Sequence, residues 1–173
     1  MVVGNLEFIK SETITTSVSS IDITDIFSNK YDNYCIVFYT VASTANALRG
    51  NLLDTSGTLL NGVHYDNAML NMLDSTGFTE SRTSGDTRWE RVSIHSPTGQ
   101  NATMFVFNPY NASSYTFVMT QGSTYYGAAG IGAYGQKQIG VYKQTSSVGG
   151  IRFTTAAGTL DSGKISVYGL ASN

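Results

Sequence analysis

Apolar residues in this chain recur at every second position, in short runs broken by Gly, Asn, Ser and Pro. Side chains on a strand alternate between the two faces of a sheet, whereas a buried helix needs a period near 3.6. The pattern therefore excludes a helical bundle and predicts an all-β fold. Lys164-Ile165-Ser166-Val167-Tyr168 alternates polar and apolar, as do residues 139–143 and 150–154. Residues 34–41 form a continuous apolar, β-branched and aromatic run, long enough for a central strand buried on both faces. Residues 102–107 and 115–119 flank a segment containing Asn108, Pro109 and Asn111, which predicts a hairpin with a loop of moderate length.

Leu6-Glu7-Phe8-Ile9 and residues 20–26 also read as extended, while the Ser/Thr-rich residues 11–19 suit a strand or a loop but not a helix. Asp161-Ser162-Gly163 reads as a turn. Only residues 65–73 fit the helical and strand templates equally well. No repeat, linker or charge block divides the 173 residues. The expectation is a single domain over residues 1–173, an antiparallel β-sandwich of ten or so strands with little helix. A jelly roll suits this length; strand order is left open by the sequence.

Charged residues make up 13% of the chain, against roughly 25% in an average globular protein. Ser and Thr supply roughly a quarter, so the surface is hydroxyl and amide rather than ionic. A net charge of -2, with Lys and Arg scattered singly, leaves no footprint for nucleic acid or an anionic membrane. The apolar runs are too short for a membrane span, and Met1-Val2-Val3-Gly4-Asn5 has no basic, then apolar, character of a secretory signal. The lone Cys35 excludes an internal disulfide and, within its apolar run, reads as a small buried hydrophobe.

No motif carries chemistry on its own. Gly130-Ile131-Gly132-Ala133-Tyr134-Gly135 matches GxGxxG but lacks the buried strand before it and the helix after it that a dinucleotide site needs, so it reads as a flexible surface loop. His64 and His95 are isolated, without metal-ligand spacing, and no GxSxG elbow is present. Glu80, Asp86 and Glu90 near Trp89 offer the two carboxylates and the aromatic ring of a glycosidase, but Arg82, Arg88 and Arg91 interleave with them, and ion pairs on an exposed strand explain the same residues. The chain is thus expected to be no enzyme, with no cofactor and no metal. Tyr125, Tyr126 and Tyr134, together with Trp89, are the candidate ligand or subunit contacts. Tyr supplies a rigid ring and a hydroxyl at low entropy cost, and the surrounding Gly and Ser let the segment adapt.

Three stretches resemble small tailed-bacteriophage virion proteins. They are Asp32-Asn33-Tyr34-Cys35-Ile36-Val37-Phe38, the central Phe107-Asn108-Pro109, and the ending Val148-Gly149-Gly150-Ile151-Arg152-Phe153 followed, after a short turn, by Asp161-Ser162-Gly163-Lys164-Ile165-Ser166-Val167-Tyr168-Gly169-Leu170. The resemblance implies a β-sandwich on the virion surface, often trimeric, assembled in the bacterial cytoplasm. Its partners would be other virion proteins, first the major capsid protein. A capsid decoration or cement protein is the expectation, because no shaft, coiled-coil or collagen repeat accompanies the domain; the alternative is a tail-fibre or receptor-binding module recognising host carbohydrate.

Overall fold

The computed structural model describes residues 6–44, 47–93, 98–126 and 132–171, with only the backbone described at Tyr126. Among them are thirteen strands and no helix. The first five are β1 (Leu6–Ile14), β2 (Ser20–Ile23), β3 (Asn33–Ser43), β4 (Leu48–Asp54) and β5 (Leu59–Leu60). Then come β6 (Tyr65–Leu73), β7 (Gly77–Asp86), β8 (Trp89–Ser93) and β9 (Gln100–Phe107). The last four are β10 (Thr116–Tyr126), β11 (Gly132–Tyr142), β12 (Val148–Thr155) and β13 (Leu160–Leu170).

One sheet runs β1-β13-β3-β9-β10-β11-β6-β7, the other β2-β12-β4-β5, with β8 added on β4. Every pairing between these strands is antiparallel. The sets β1-β13-β3-β9 and β2-β12-β4-β5 have the strand order of a jelly roll, in which the chain crosses repeatedly between two four-stranded sheets. Strands β10, β11, β6 and β7 extend the first sheet past β9, so it overhangs the shorter second sheet. Ile36, Phe38, Met104 and Val167 from the long sheet meet Ile23, Leu52, Ile151 and Phe153 from the short one in a continuous core. Phe38 and Phe153 make an edge-to-face contact with centroids 5.0 Å apart.

Two local expectations are resolved or corrected. Residues 65–73 form strand β6, because Tyr65, Asn67, Met69 and Asn71 are buried in alternation with Asp66, Ala68 and Leu70. The turn expected at Asp161-Ser162-Gly163 is instead a pair of register shifts inside β13, opposite β3. Gly163 sits there at φ +121°, where a Cβ would come within 2.6 Å of Val41 Cα. The chain reverses earlier, across residues 156–159.

Beneath the overhang, β8 joins the two layers. It pairs with β4 only at Leu48↔Ser93 and Gly50↔Trp89, so part of its backbone faces the long sheet without a strand partner. Amide side chains of that sheet fill the role. Gln136 Nε2 donates to the Arg91 carbonyl at 2.6 Å, Gln138 Nε2 to the Glu90 carbonyl at 3.1 Å, and the Glu90 N–H donates to Asn67 Oδ1 at 3.3 Å. These bonds account for the amides of Asn67, Gln136 and Gln138 at inward positions of β6 and β11; Asn71 instead donates to Thr79 Oγ1 at 3.2 Å. Trp89 itself is fully buried, donates from Nε1 to the Val141 carbonyl at 3.2 Å, and meets Tyr65 edge-to-face at 5.2 Å. Its indole lies on Gly140, where a Cβ would stand 2.8 Å from Nε1.

At the opposite end of the long sheet, Glu7 on β1 accepts from Lys30 Nζ at 2.5 Å and from the Tyr31 hydroxyl. These two charge-assisted bonds, Lys30 first, hold the Glu7 carboxyl below its ordinary range and raise the Lys30 ammonium.

Two outcomes follow from this packing. Gly140→Ala should cost about 1–3 kcal/mol by overpacking and Trp89→Ala about 3–5 kcal/mol by the cavity left, both read from urea unfolding. Because the Glu7 pKa is depressed in the folded state, its contribution is present above the usual carboxylate range and is lost as pH falls through the folded value. Glu7→Gln should therefore be less stable than wild type at pH 7, with the difference closing toward pH ~2, below both carboxyl pKa values.

Candidate functional site

The outer face of the eight-stranded sheet is the surface that a soluble sandwich would ordinarily make polar. Here it is not. The strand registers place Phe8, Tyr168, Cys35, Phe105, Met119, Ile139, Ala68 and Arg82 in one row across all eight strands, apolar or aromatic until the last. A neighbouring row carries Leu6, Leu170, Phe107, Phe117 and Val141. Phe8 is 61% exposed, Ile139 58% and Phe117 46%. Phe105 and Phe107 stack at 6.4 Å, and Phe8 meets Tyr168 edge-to-face at 5.8 Å.

Two open troughs cross this face on either side of Met119. One, of about 640 Å³, runs between Val37, Tyr39, Phe105, Gln121 and Lys137. The other, of about 620 Å³, is walled by Ala68, Arg82, Phe107, Phe117 and Ile139. The second is walled mainly by apolar side chains, a lining suited to another protein's side chains, while Asn101, Thr103, Gln121, Ser123 and Lys137 make the first more polar. Cys35 lies in the same face but is buried, and burial raises its thiol pKa, which keeps the thiol protonated near neutral pH.

The aromatic candidates do not come together. Trp89 is a correction: its indole is wholly buried in the sandwich and presents no face to a ligand or a subunit. A tryptophan beside charged residues reads as a binding ring, but its indole is packed against Gly140, Gly50 and Tyr65. Tyr125 is 68% exposed and pairs with Ala133, while Tyr134 pairs with Thr124. Alternation along β10 and β11 thus puts Tyr125 and Tyr134 on opposite faces of the hairpin. Tyr134 is half-buried, and that burial pushes its hydroxyl pKa up, opposed by Arg91. Tyr126 pairs with Gly132 through the backbone, and its side chain lies outside the described residues.

The carboxylates are likewise dispersed. Glu90 is held by Arg49 at 2.6 Å and Arg88 at 3.4 Å, whereas Glu80 stands exposed on β7 without an ion pair among the described residues. Asp86 Oδ1 accepts from the Thr87 N–H at 2.6 Å. His64 packs edge-on to Tyr142 and takes a bond from Gln144; His95 lies outside the described residues. Of the GxGxxG segment, Gly130 and Ile131 lie outside the described residues, and Gly132 to Gly135 belong to β11 rather than to the surface loop expected there. Among the described residues no three His, Cys, Asp or Glu side chains form a cluster able to hold a metal ion.

No family model and no curated protein matches the chain. Among solved structures, a human SPRY domain is similar over 92% of this chain and 97% of that one, at 7% identity and a TM-score of 0.25. A superposition that loose carries no argument about fold or function.

Nothing inside the fold leans on the exposed rings of the outer face. Phe117→Ser and Ile139→Ser should each cost about 1 kcal/mol of unfolding free energy, the worth of their cross-strand pairs, and leave the fold intact. Together they should clearly reduce binding of an apolar dye to the native protein, measured by fluorescence titration.

Proposed function

We infer that the chain is a non-enzymatic virion structural protein, a decoration or cement protein that sits on a bacteriophage capsid and bridges shell subunits. The observation that supports this reading is the apolar outer face of the long sheet. A monomeric protein seldom leaves a contiguous surface of that kind uncovered, and one whose apolar row crosses seven of the eight strands suits a broad protein partner. The partner is the shell itself, first its major capsid protein. The jelly-roll strand order adds a likeness of architecture, since that order recurs in capsid and lectin domains.

The mechanism is mass action. A protein that binds the assembled shell and not the dissociated subunits stabilises the shell by about 2.7 kcal/mol per site at a hundred times its dissociation constant. A surface poor in charge also lets many copies lie side by side without accumulating like-charge repulsion.

Heating stripped capsids with and without the added protein tests the reading. Wild type should raise the disruption temperature, and a Phe117→Ser, Ile139→Lys double variant should not. Equal disruption temperatures with and without wild type would overturn the cement role. Gold-labelled antibody over tails rather than heads would replace it with host recognition.

A further inference from the structure

A sheet edge exposes unpaired backbone N–H and C=O groups, and proteins blunt their edges with short strands, bulges or committed charges. Three edges here are blunted. Strands β2 and β5 are four and two residues long. Strand β1 carries a register shift between Phe8 and Lys10, and its charges are engaged: Glu7 by Lys30 and Tyr31, Lys10 by Glu12 and the Thr24 carbonyl. Strand β7 has none of these protections over Gly77 to Thr83. It pairs with β6 there without a register shift, its residues from Gly77 to Arg82 are all exposed, and neither Glu80 nor Arg82 has an ion pair among the described residues. A notch of about 440 Å³ opens beside it, lined by Ala68, Met69, Glu80, Ser81 and Arg82.

We propose that β7 pairs antiparallel with β7 of a second copy of this chain, about a two-fold axis through Ser81, joining two eight-stranded sheets into one. The sequence of the edge sets the register. With Ser81 opposite Ser81, Glu80 faces Arg82 of the second copy, Arg82 faces its Glu80, and Thr79 faces its Thr83. Shifting the axis by one residue either way sets Glu80 against Glu80 or Arg82 against Arg82. Opposite-charge, Thr–Thr and Ser–Ser pairs all favour an antiparallel ladder, while like charges directly opposite oppose it. The strand is thus complementary to itself in one register, as a two-fold interface requires. Glu80 and Arg82 lie on the outer face beside Leu70 and Ala68, so the joined sheets would carry the apolar rows of both copies on one side.

The pairing does not depend on the virion reading and is tested on the free protein by sedimentation equilibrium. Wild type should show a species of about twice 18.6 kDa. Glu80→Arg and Arg82→Glu should each raise the dimer dissociation constant by about tenfold, because each puts like charges opposite in both symmetric pairs. The exchanged double variant, Glu80→Arg with Arg82→Glu, should return to within about twofold of wild type, since it restores unlike pairs in the same register. Ser81→Cys should form an intermolecular disulfide on mild oxidation. A monomer at every concentration would overturn the proposal. So would an assembly, three-fold or other, that neither single reversal weakens.

Discussion

Trp89 is the one side chain to which both sheets of the sandwich are answerable. Its strand is registered on β4 of the short sheet at Gly50, while its indole N–H is bonded to Val141 of the long one. The Nε1–Cδ1 edge of the ring lies against Gly140, and Tyr65 meets the ring edge-to-face. The long sheet would otherwise project past β9 with its inner face uncovered, because the short sheet ends too soon to reach it. Strand β8 covers part of that overhang, but it brings backbone groups that no neighbouring strand satisfies. The buried Gln136, Gln138 and Asn67 resolve this by acting as substitutes for a strand. A buried amide costs free energy when unpaired; here one atom of each binds a main-chain group that would itself be unpaired, while Asn67 Nδ2 and Gln138 Oε1 are left without a partner among the described residues.

That arrangement explains which parts of the architecture were legible in the sequence. Period-two alternation marks strands wherever one face is apolar and the other polar, as in β13 and β12, and it failed to discriminate at β6. There Asn67 and Asn71 point inward while Ala68 and Leu70 point outward, so the usual polarity of the two faces is partly inverted. The bulges of β13 carry Asp-Ser-Gly, the same residues a turn would use, because both need a glycine at positive φ. Strand order depends on contacts between residues far apart in the chain, and local pattern holds no record of them.

Site residues were less legible still. Composition singled out the aromatic residues, and Trp89 drew attention as the only tryptophan; the fold buries it. What composition could not show was that Phe8, Phe105, Met119 and Ile139 lie in one row, since they come from four strands between positions 8 and 139. Each is unremarkable within its own segment. The row exists only through the registers of β1, β13, β3, β9, β10 and β11. A signal was nevertheless present: Phe105 and Phe107 share one face of β9, while Met104 and Val106 occupy the other, a strand apolar on both sides. Such a strand needs cover on both sides, and the second sheet supplies only one.

The jelly-roll wiring also fixes how the molecule bears load. Strands β1 and β13 are neighbours, and Leu6 stands opposite Leu170, so the two ends of the described chain leave from the same end of one ladder. Tension applied at both ends would open that ladder one hydrogen-bonded pair at a time, like a zipper, rather than shear all its pairs at once. The first bonds to part would be those nearest Leu6, with the bulge at Phe8 close behind and the Glu7–Lys30–Tyr31 clasp as the early resistance. A pull delivered instead along the strands, from opposite ends of one ladder, would load its hydrogen bonds in parallel. The fold is therefore mechanically anisotropic, compliant to a pull that parts its two ends across the ladder and stiff to one directed along its strands.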